Sequence, residues 1–139
     1  MPFPFENLTV YQEAIRWADT ADELCKELKG RISNSLKDQL CRAALSVSLN
    51  IAEGNGRWHK GDRRQFFWVA RGSAFECVPI IQILRRRQLI NEPKFKGLYG
   101  HLELLCKMLT NLIKSVEAIN QHHTSQPGFR QKIADAGRR

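Results

Sequence analysis

The sequence lacks any apolar run long enough to cross a membrane and any segment typical of an exported protein. No stretch of the 139 residues reaches the ~18 consecutive apolar residues of a membrane span. Residues 1–6 have neither the basic start nor the apolar centre of a signal peptide. We therefore expect a cytoplasmic protein that has no membrane partner.

Motifs of catalysis and of metal or cofactor binding are also missing. No glutamate is followed by histidine three residues later, the pattern of di-iron centres in helical bundles. The chain contains no Cys-x-x-Cys pair, and it contains no G-x-x-x-x-G-K-[ST] phosphate loop. The sequence therefore predicts a protein that is not an enzyme and that holds no metal and no cofactor.

Strand signals are absent, and four stretches instead repeat apolar residues at steps of three and four. The predicted helices cover residues 8–29, 35–53, 62–88 and 92–121. Short connections between helices favour antiparallel neighbours. The expected fold is therefore all-α, an antiparallel up-down-up-down four-helix bundle over residues 1–122 with a basic C-terminal tail at residues 123–139.

The apolar seams mark the predicted core faces. The seam of the first helix is Tyr11, Ala14, Ala18, Ala21, Cys25 and Leu28. The seam of the fourth helix is Phe95, Leu98, Leu102, Leu105, Leu109, Leu112, Val116 and Ile119. Its regular alternation is typical of coiled-coil packing. The third helix keeps its seam in phase across Pro79, so we expect one kinked helix there instead of two.

Helix ends are predicted from short polar residues and from glycines. N-caps are expected at Asn7, at Asn34 or Ser35, at Asp62 and at Asn91. Gly30 is expected to end the first helix, and Gly54 and Gly56 the second. The four cysteines, Cys25, Cys41, Cys77 and Cys106, all fall in predicted helices, where we expect small buried side chains with free thiols.

Positive charge is concentrated in one part of the chain. The net charge is +8, and residues 57–87 carry eight Lys or Arg and only two Asp or Glu. Residues 1–56 carry six and eight. Localised basic charge is typical of a protein that binds RNA or DNA. The alternative is a solvated face that keeps the protein soluble.

The predicted nucleic-acid-binding residues are Arg57, Trp58, Lys60, Arg63, Arg64, Arg71, Arg85, Arg86 and Arg87. An aromatic ring among cations can stack on an unpaired base. Trp58 would do this, unless it folds back on the end of the bundle. The three arginines at 85–87 have a second explanation, because cations in the last turn of a helix interact favourably with its dipole.

The second helix is apolar on two opposite sides. Its core stripe is Leu36, Leu40, Ala44, Val47 and Ile51. Leu45 and Leu49 lie on the other side, where a surface helix normally carries charge. We therefore predict that Leu45 and Leu49 form an oligomer interface. A polar stripe lies between the two sides, and we expect Arg42, Asn50, Glu53 and Glu76 to form one hydrogen-bonded network.

Three separated segments resemble one family. Residues 50–57 read Asn-Ile-Ala-Glu-Gly-Asn-Gly-Arg, and they follow similar matches at residues 5–14 and 39–44. This pattern resembles the small four-helix-bundle proteins encoded in intervening sequences of bacterial 23S ribosomal RNA genes, over residues 5–120. The motif residues, which we interpret as structural, are Asn50, Ile51, Ala52, Glu53, Gly54 and Gly56.

The resemblance has implications for function. Related bundles are accessory proteins to the reverse transcriptases of diversity-generating retroelements, and these accessory proteins are basic pentamers that bind nucleic acid and the transcriptase. The resemblance therefore implies a homopentamer whose partners are RNA or DNA and a reverse transcriptase. The alternative function is a protein-interaction scaffold with no nucleic-acid role.

Overall fold

The computed structural model of the protein describes residues 3–124, with side chains through residue 118. Within this range the chain forms four α-helices, α1 Thr9–Glu27, α2 Asn34–Asn55, α3 Lys60–Arg86 and α4 Glu92–Thr124, and no strand. Each helix packs on the next, and α1 also contacts α4, which closes the four helices around a shared main core. The predicted all-α four-helix bundle is confirmed.

The residues before α1 are also helical. Pro4–Asn7 form a short 3-10 helix, which proline tolerates because the first turn of a helix leaves its N–H groups unpaired. The ring of Phe5 packs edge-on against Tyr11 with the ring centroids 5.0 Å apart. The amide Nε2 of Gln12 donates to the carbonyl of Glu6 at 3.0 Å. These contacts hold the short helix against α1.

Helix starts were less predictable than the helices themselves. Asn91 caps α4 as predicted, because its Oδ1 accepts from the backbone N of Lys94 at 2.8 Å. The other N-caps are wrong, since α1, α2 and α3 begin after Leu8, Ser33 and His59. Only Ser33 of these three accepts a capping hydrogen bond, from the backbone N of Leu36 at 3.2 Å. Capping depends on the backbone of the preceding loop, which apolar spacing does not describe.

The core faces of α2 and α3 are those predicted, whereas those of α1 and α4 are rotated slightly. In α1, the ring of Trp17 is fully buried and Ala18 is only half-buried. The indole Nε1 of Trp17 donates to Sγ of Cys77 in α3 at 3.4 Å, across the middle of the bundle. In α4, the buried seam passes from Leu109 to Ile113, not to Leu112. A straight helix drifts from a strict seven-residue repeat in this direction.

A second, smaller core lies beyond the main one. Phe67 of α3 packs with Ile113 and Val116 of α4, and this group is separate from the large core that all four helices share. Leu112 is half-buried and packs against both groups. Among the described side chains, the end of the bundle that contains the α2–α3 loop is therefore packed separately from the main core.

Helix α3 runs without interruption through Pro79, so the prediction of one helix is confirmed. In the described part of the chain it is also the one helix whose length and hydropathy would allow it to cross a membrane. Core helices of helical bundles commonly have this property. In this protein α3 packs between α2 and α4, with Phe67, Ala70, Ala74, Cys77 and Ile81 buried.

Candidate nucleic-acid interface

The second helix passes through the first motif glycine and ends after Asn55. Gly54 lies inside α2 and is buried, so the prediction that Gly54 stops the helix is wrong. A side chain at this position would collide with Phe66 and Phe67 of α3. Gly56 is the C-cap, in the right-handed region with φ −79°. Close packing of two helices, not a turn, is what requires glycine at position 54.

The other motif residues also lie at this end of α2. Ile51 is fully buried in the main core, and Ala52 is half-buried. Glu53 is exposed and forms an ion pair with Arg57, with Oε2 and Nη2 3.0 Å apart. The guanidinium of Arg57 also stacks over the ring of Phe66, 4.8 Å from its centroid. Arg57 is therefore held in place beside the loop, with half of its side chain accessible.

The loop places its tryptophan fully in solvent. The side chain of Trp58 is 97% exposed, so the alternative in which it folds back on the bundle is wrong. A large aromatic ring in water costs solvation free energy unless a partner covers it. Arg57 precedes Trp58 and Lys60 follows within two residues, so the ring lies between two cations in sequence.

Helix α3 begins directly after this ring. His59 is its N-cap and makes no side-chain hydrogen bond to the first turn. The first N–H groups of a helix lack partners within it, and the helix dipole is positive there, which favours phosphate. Asp62 lies in this first turn and offsets part of that charge. The loop and the helix start together present an aromatic ring, two cations and open amide groups.

The next two arginines differ in accessibility. Nη1 of Arg64 lies 3.9 Å from Oε1 of Glu117 in α4, and both side chains are about half-exposed. An exposed ion pair of this length contributes little and does not prevent a phosphate contact. Arg63 is half-buried, and its Nε is enclosed without a hydrogen-bond partner in the described part of the chain.

Arg71 has a structural role that the sequence did not indicate. Its Nε donates to Oγ1 of Thr110 in α4 at 3.0 Å. Its guanidinium lies over the ring of Phe75, 4.3 Å from the centroid, and 5.4 Å from that of Trp68. Arg71 therefore bridges α3 to α4 and is less available to a phosphate than predicted.

The arginines at 85–87 lie at the opposite end of α3. Nε of Arg85 is 3.7 Å from Oε1 of Glu92, and its guanidinium stacks over Phe95 at 3.8 Å. Arg86 and Arg87 are exposed and make no ion pair among the residues whose side chains are described. At 1.5 Å per residue, this cluster is roughly 35 Å from Arg63 along α3. The predicted basic segment is therefore two clusters, one at each end of the bundle.

The polar stripe of α2 forms a different network from the one expected. Oγ of Ser46 lies 2.8 Å from Oγ of Ser73 in α3, within hydrogen-bonding distance. Nδ2 of Asn50 donates to the carbonyl of Ser46 at 2.8 Å and to its hydroxyl at 2.9 Å. Glu53 is engaged by Arg57, so the predicted network of Arg42, Asn50, Glu53 and Glu76 is wrong. The short side chains of Ser46 and Ser73 therefore pair where α2 and α3 approach closely.

Two apolar surfaces are exposed on the single chain. Leu45 and Leu49 are 50% and 55% exposed on the outer side of α2, where the sequence placed them. A second surface, which sequence analysis missed, is a groove between α3 and α4 lined mainly by Phe75, Val78, Pro79, Tyr99, Leu102 and Leu104. Phe75 and Trp68 are large apolar residues that the helical period places outside the core seam of α3. Polar residues are normal at such positions, so these two could have indicated an exposed apolar surface from the sequence alone.

Other site chemistry is sparse in the described residues. No three of His, Cys, Asp or Glu converge there as metal ligands would. Nε2 of His101 lies 3.1 Å from Oε2 of Glu13, and its ring packs edge-on against Trp17. This pair joins α1 to α4 beside the core. Residues 125–139, most of the predicted basic tail, lie outside the described residues, and α4 includes 123 and 124.

Comparisons with known proteins give a consistent result. The family model of the 23S rRNA-intervening sequence protein matches residues 6–111. A solved structure of a protein with unknown function from the S23 ribosomal protein family of Bacteroides thetaiotaomicron, at 1.70 Å resolution, is similar with a TM-score of 0.73. It is 20% identical, and the match covers 76% of this chain and 99% of that one. No curated protein sequence matches the chain.

Proposed function

This chain belongs to the 23S rRNA-intervening sequence protein family, and on that basis we propose that it is a non-enzymatic, oligomeric bundle that binds RNA or DNA in the cytoplasm. The observation that carries the proposal is the fully exposed Trp58 beside Arg57 and Lys60 at the start of α3. Base stacking on an aromatic ring and phosphate contacts from neighbouring cations are the usual means of binding single-stranded nucleic acid.

Oligomerisation strengthens the proposed interaction. Residues 57–64, at the end of the bundle that contains the α2–α3 loop, form a small site, which we call the Arg57–Arg64 end. Repeating this site in a ring of subunits multiplies the phosphate contacts and raises avidity. Leu45 and Leu49 would form one side of the contact between subunits. The exposed α3–α4 groove with Phe75 and Tyr99 is a chemically matched surface for them on a neighbour. The resemblance of the motifs suggests five subunits.

The finer part of the proposal concerns the biological partner. The motif resemblance to retroelement accessory proteins suggests a reverse transcriptase and its structured RNA. This part depends on the resemblance alone, and it would fail separately from nucleic-acid binding. Copurification with a reverse transcriptase encoded beside the gene would test it.

The test of nucleic-acid binding is a salt series. We expect the affinity of the full chain for a single-stranded RNA oligomer to fall steeply with salt, with a log–log slope of about −0.7 for each phosphate contact. Lys60→Gln with Arg64→Gln removes one half-buried and one exposed cation from the end of the bundle that contains the α2–α3 loop. This variant should bind more weakly and with a shallower slope, by roughly 0.7 for each lost contact.

A matched control uses the opposite end of the bundle. Arg86→Gln with Arg87→Gln removes the same charge from two exposed side chains about 35 Å away along α3. If the loop end is the site, this control changes the salt slope less than the first variant does. A slope that is unchanged in Lys60→Gln with Arg64→Gln would contradict the assignment. Equal losses in the two variants would assign binding to net charge alone.

The second candidate function is a protein-interaction scaffold. The α3–α4 groove favours it, because contiguous apolar surface of this kind commonly binds protein. A scaffold would show no salt-dependent RNA binding and would lose its partner when the groove is altered. Trp58→Ala is the variant that separates the two, because it removes the exposed ring proposed to bind RNA and leaves the groove unchanged.

A further inference from the structure

Two cysteines far apart in sequence face each other across the α1–α2 hairpin. Sγ of Cys41 lies 3.3 Å from Sγ of Cys25, and the Cys41 thiol donates to the Cys25 sulfur. Both thiols are free. A disulfide bond is about 2.05 Å long, so the two sulfurs need to approach by roughly 1.3 Å to form one. Adjustment of two side-chain torsions is the kind of movement that this requires.

Solvent reaches this pair through a groove. Cys25 is buried, but Cys41 is only half-buried. The groove beside them is lined by Asp22, Lys26, Lys29 and Lys37 as well as the two thiols. Lys26 forms an ion pair with Asp22, with their atoms 3.0 Å apart. Lys29 and Lys37 make no ion pair among the residues whose side chains are described, so the mouth of the groove carries net positive charge.

We propose that Cys25 and Cys41 form a reversible redox modification site whose co-substrate is an anionic low-molecular-weight disulfide of the glutathione disulfide type. The lysines at the groove mouth attract the carboxylates of such a reagent. The adjacent second thiol then converts the first adduct into a bond within the chain. The inference does not depend on nucleic-acid binding.

The chemistry proceeds by two exchanges. Cys41 loses its proton to solvent and attacks one sulfur of glutathione disulfide, forming a mixed disulfide and releasing one glutathione thiolate. Cys25 then loses its proton and attacks the Cys41 sulfur, forming the Cys25–Cys41 bond and releasing the second thiolate. The protein loses two protons and two electrons, and glutathione disulfide becomes two molecules of reduced glutathione.

The environment assigns the order of attack. Burial is the main cause that raises the pKa of the Cys25 thiol to about 12, and the closeness of the Cys41 sulfur adds to it. Cys25 therefore keeps its proton at neutral pH and is a poor first nucleophile. Cys41 lies nearer the solvent and reacts first, whereas Cys25 acts as the resolving thiol. In a reducing compartment both cysteines stay as thiols. They form the disulfide when the ratio of glutathione disulfide to reduced glutathione rises.

A disulfide between Cys25 and Cys41 would stabilise the bundle. It would join residues separated by 16 positions, across the only connection between α1 and α2. Linking a loop of about this size restricts the unfolded chain and raises the melting temperature. For a protein of this length we expect an increase of roughly 5–10 °C.

The experiment treats the folded, reduced full chain with glutathione disulfide, followed by mass spectrometry and peptide mapping. We expect loss of two hydrogens, one peptide pair linked through Cys25 and Cys41, and a higher Tm that dithiothreitol reverses. Four free thiols after treatment would overturn the proposal. A bond that joins two chains, or one that involves Cys106, would also overturn it.

Variants at the two positions test the order of attack. Cys25→Ser should retain glutathione on Cys41 as a stable mixed disulfide, whereas Cys41→Ser should form neither the adduct nor the internal bond. Cys106→Ser is the matched control, because Cys106 is half-buried like Cys41 but has no thiol partner in the described residues. It should form the Cys25–Cys41 bond at the wild-type rate. Stable glutathione on Cys25 of Cys41→Ser would overturn the assigned order. If a variant fails to fold, the wild-type peptide map still decides the main point.

Discussion

A Cβ atom placed on Gly54 of α2 would lie 2.8 Å from Cε1 of Phe67 in α3. It would also lie 2.9 Å from Cβ of Phe66, which is attached directly to the backbone and has little freedom to move. Real Cβ atoms do not approach other atoms this closely, so α2 and α3 would have to separate. The glycine is therefore part of the helix–helix contact that sets the position of the Arg57–Arg64 end.

The first prediction concerns this contact. Gly54→Ala should destabilise the protein by about 1–3 kcal/mol, because overpacking outweighs the gain in helix propensity. Urea unfolding measures the change. Gly100→Ala is the matched control, since Gly100 lies within α4 with nothing within 4 Å of an added Cβ. It should stabilise by about 0.5–1 kcal/mol. Equal effects of the two substitutions would refute the packing role.

The second prediction concerns Trp58. Its side chain makes no buried contact, so Trp58→Ala should leave Tm unchanged. If the ring stacks on a base, the variant should lose about 1–3 kcal/mol of binding free energy for single-stranded RNA, or roughly 5–150-fold in Kd. Fluorescence quenching on binding should disappear in Trp58→Phe, which removes this signal and keeps Trp17 and Trp68. Quenching that persists in this variant would place the site elsewhere.

The third prediction concerns assembly. We expect the wild-type protein to sediment as a pentamer, and Leu45→Glu with Leu49→Glu to yield a helical monomer or an insoluble chain. Burying each leucine contributes about 1.5–3 kcal/mol, which a carboxylate would reverse. Ile15→Glu is the control, because Ile15 is similarly exposed but lies on α1. If the wild-type protein sediments as a monomer at micromolar concentration, the predicted oligomer is wrong, and so is the avidity argument that depends on it.

The fourth prediction concerns pH. Burial raises the pKa of the Cys77 thiol from 9.0 to about 11. Between pH 9 and 11 the folded state therefore keeps the Cys77 proton, whereas the unfolded state has lost it. The contribution of this thiol to stability is complete below pH 9 and is lost as the pH rises towards 11. The free energy of unfolding should fall by up to ~1.4 kcal/mol per pH unit for this thiol. Cys77→Ser should show a shallower fall in urea unfolding from pH 9 to 11, and an identical slope would contradict the burial effect.

The order and the core faces of the helices could be predicted from sequence because they depend on local spacing. In α3, for example, the buried residues Ala70, Ala74, Cys77 and Ile81 recur at steps of three and four. Ala18 was wrongly placed in the α1 seam, because the large ring of Trp17 enters the core beside it, in contact with Cys77 from a distant helix. Gly54 was misread for a similar reason, since a helix end and a close helix contact both favour glycine.

The candidate site was less predictable because it depends on distances between residues. Arg63 and Arg86 belong to one basic segment in sequence, but a continuous helix places them at opposite ends of the bundle. The structural contact of Arg71 was missed because its partner, Thr110, is 39 positions away. The thiol pair was missed because Cys25 and Cys41 have no recognised spacing, and only the antiparallel α1–α2 hairpin brings them together.

The small core of Phe67, Ile113 and Val116 has a consequence for local stability. Among the residues whose side chains are described, this group is small and separate from the main core, so this end should open without unfolding of the main core. Amide hydrogens of residues 60–67 should then exchange with deuterium faster than those of residues 74–84, which face the shared core. A ligand that binds at Trp58 and Lys60 would have to hold this end closed. Slower exchange there, with no change at residues 74–84, would report occupancy even where the overall fold stays the same.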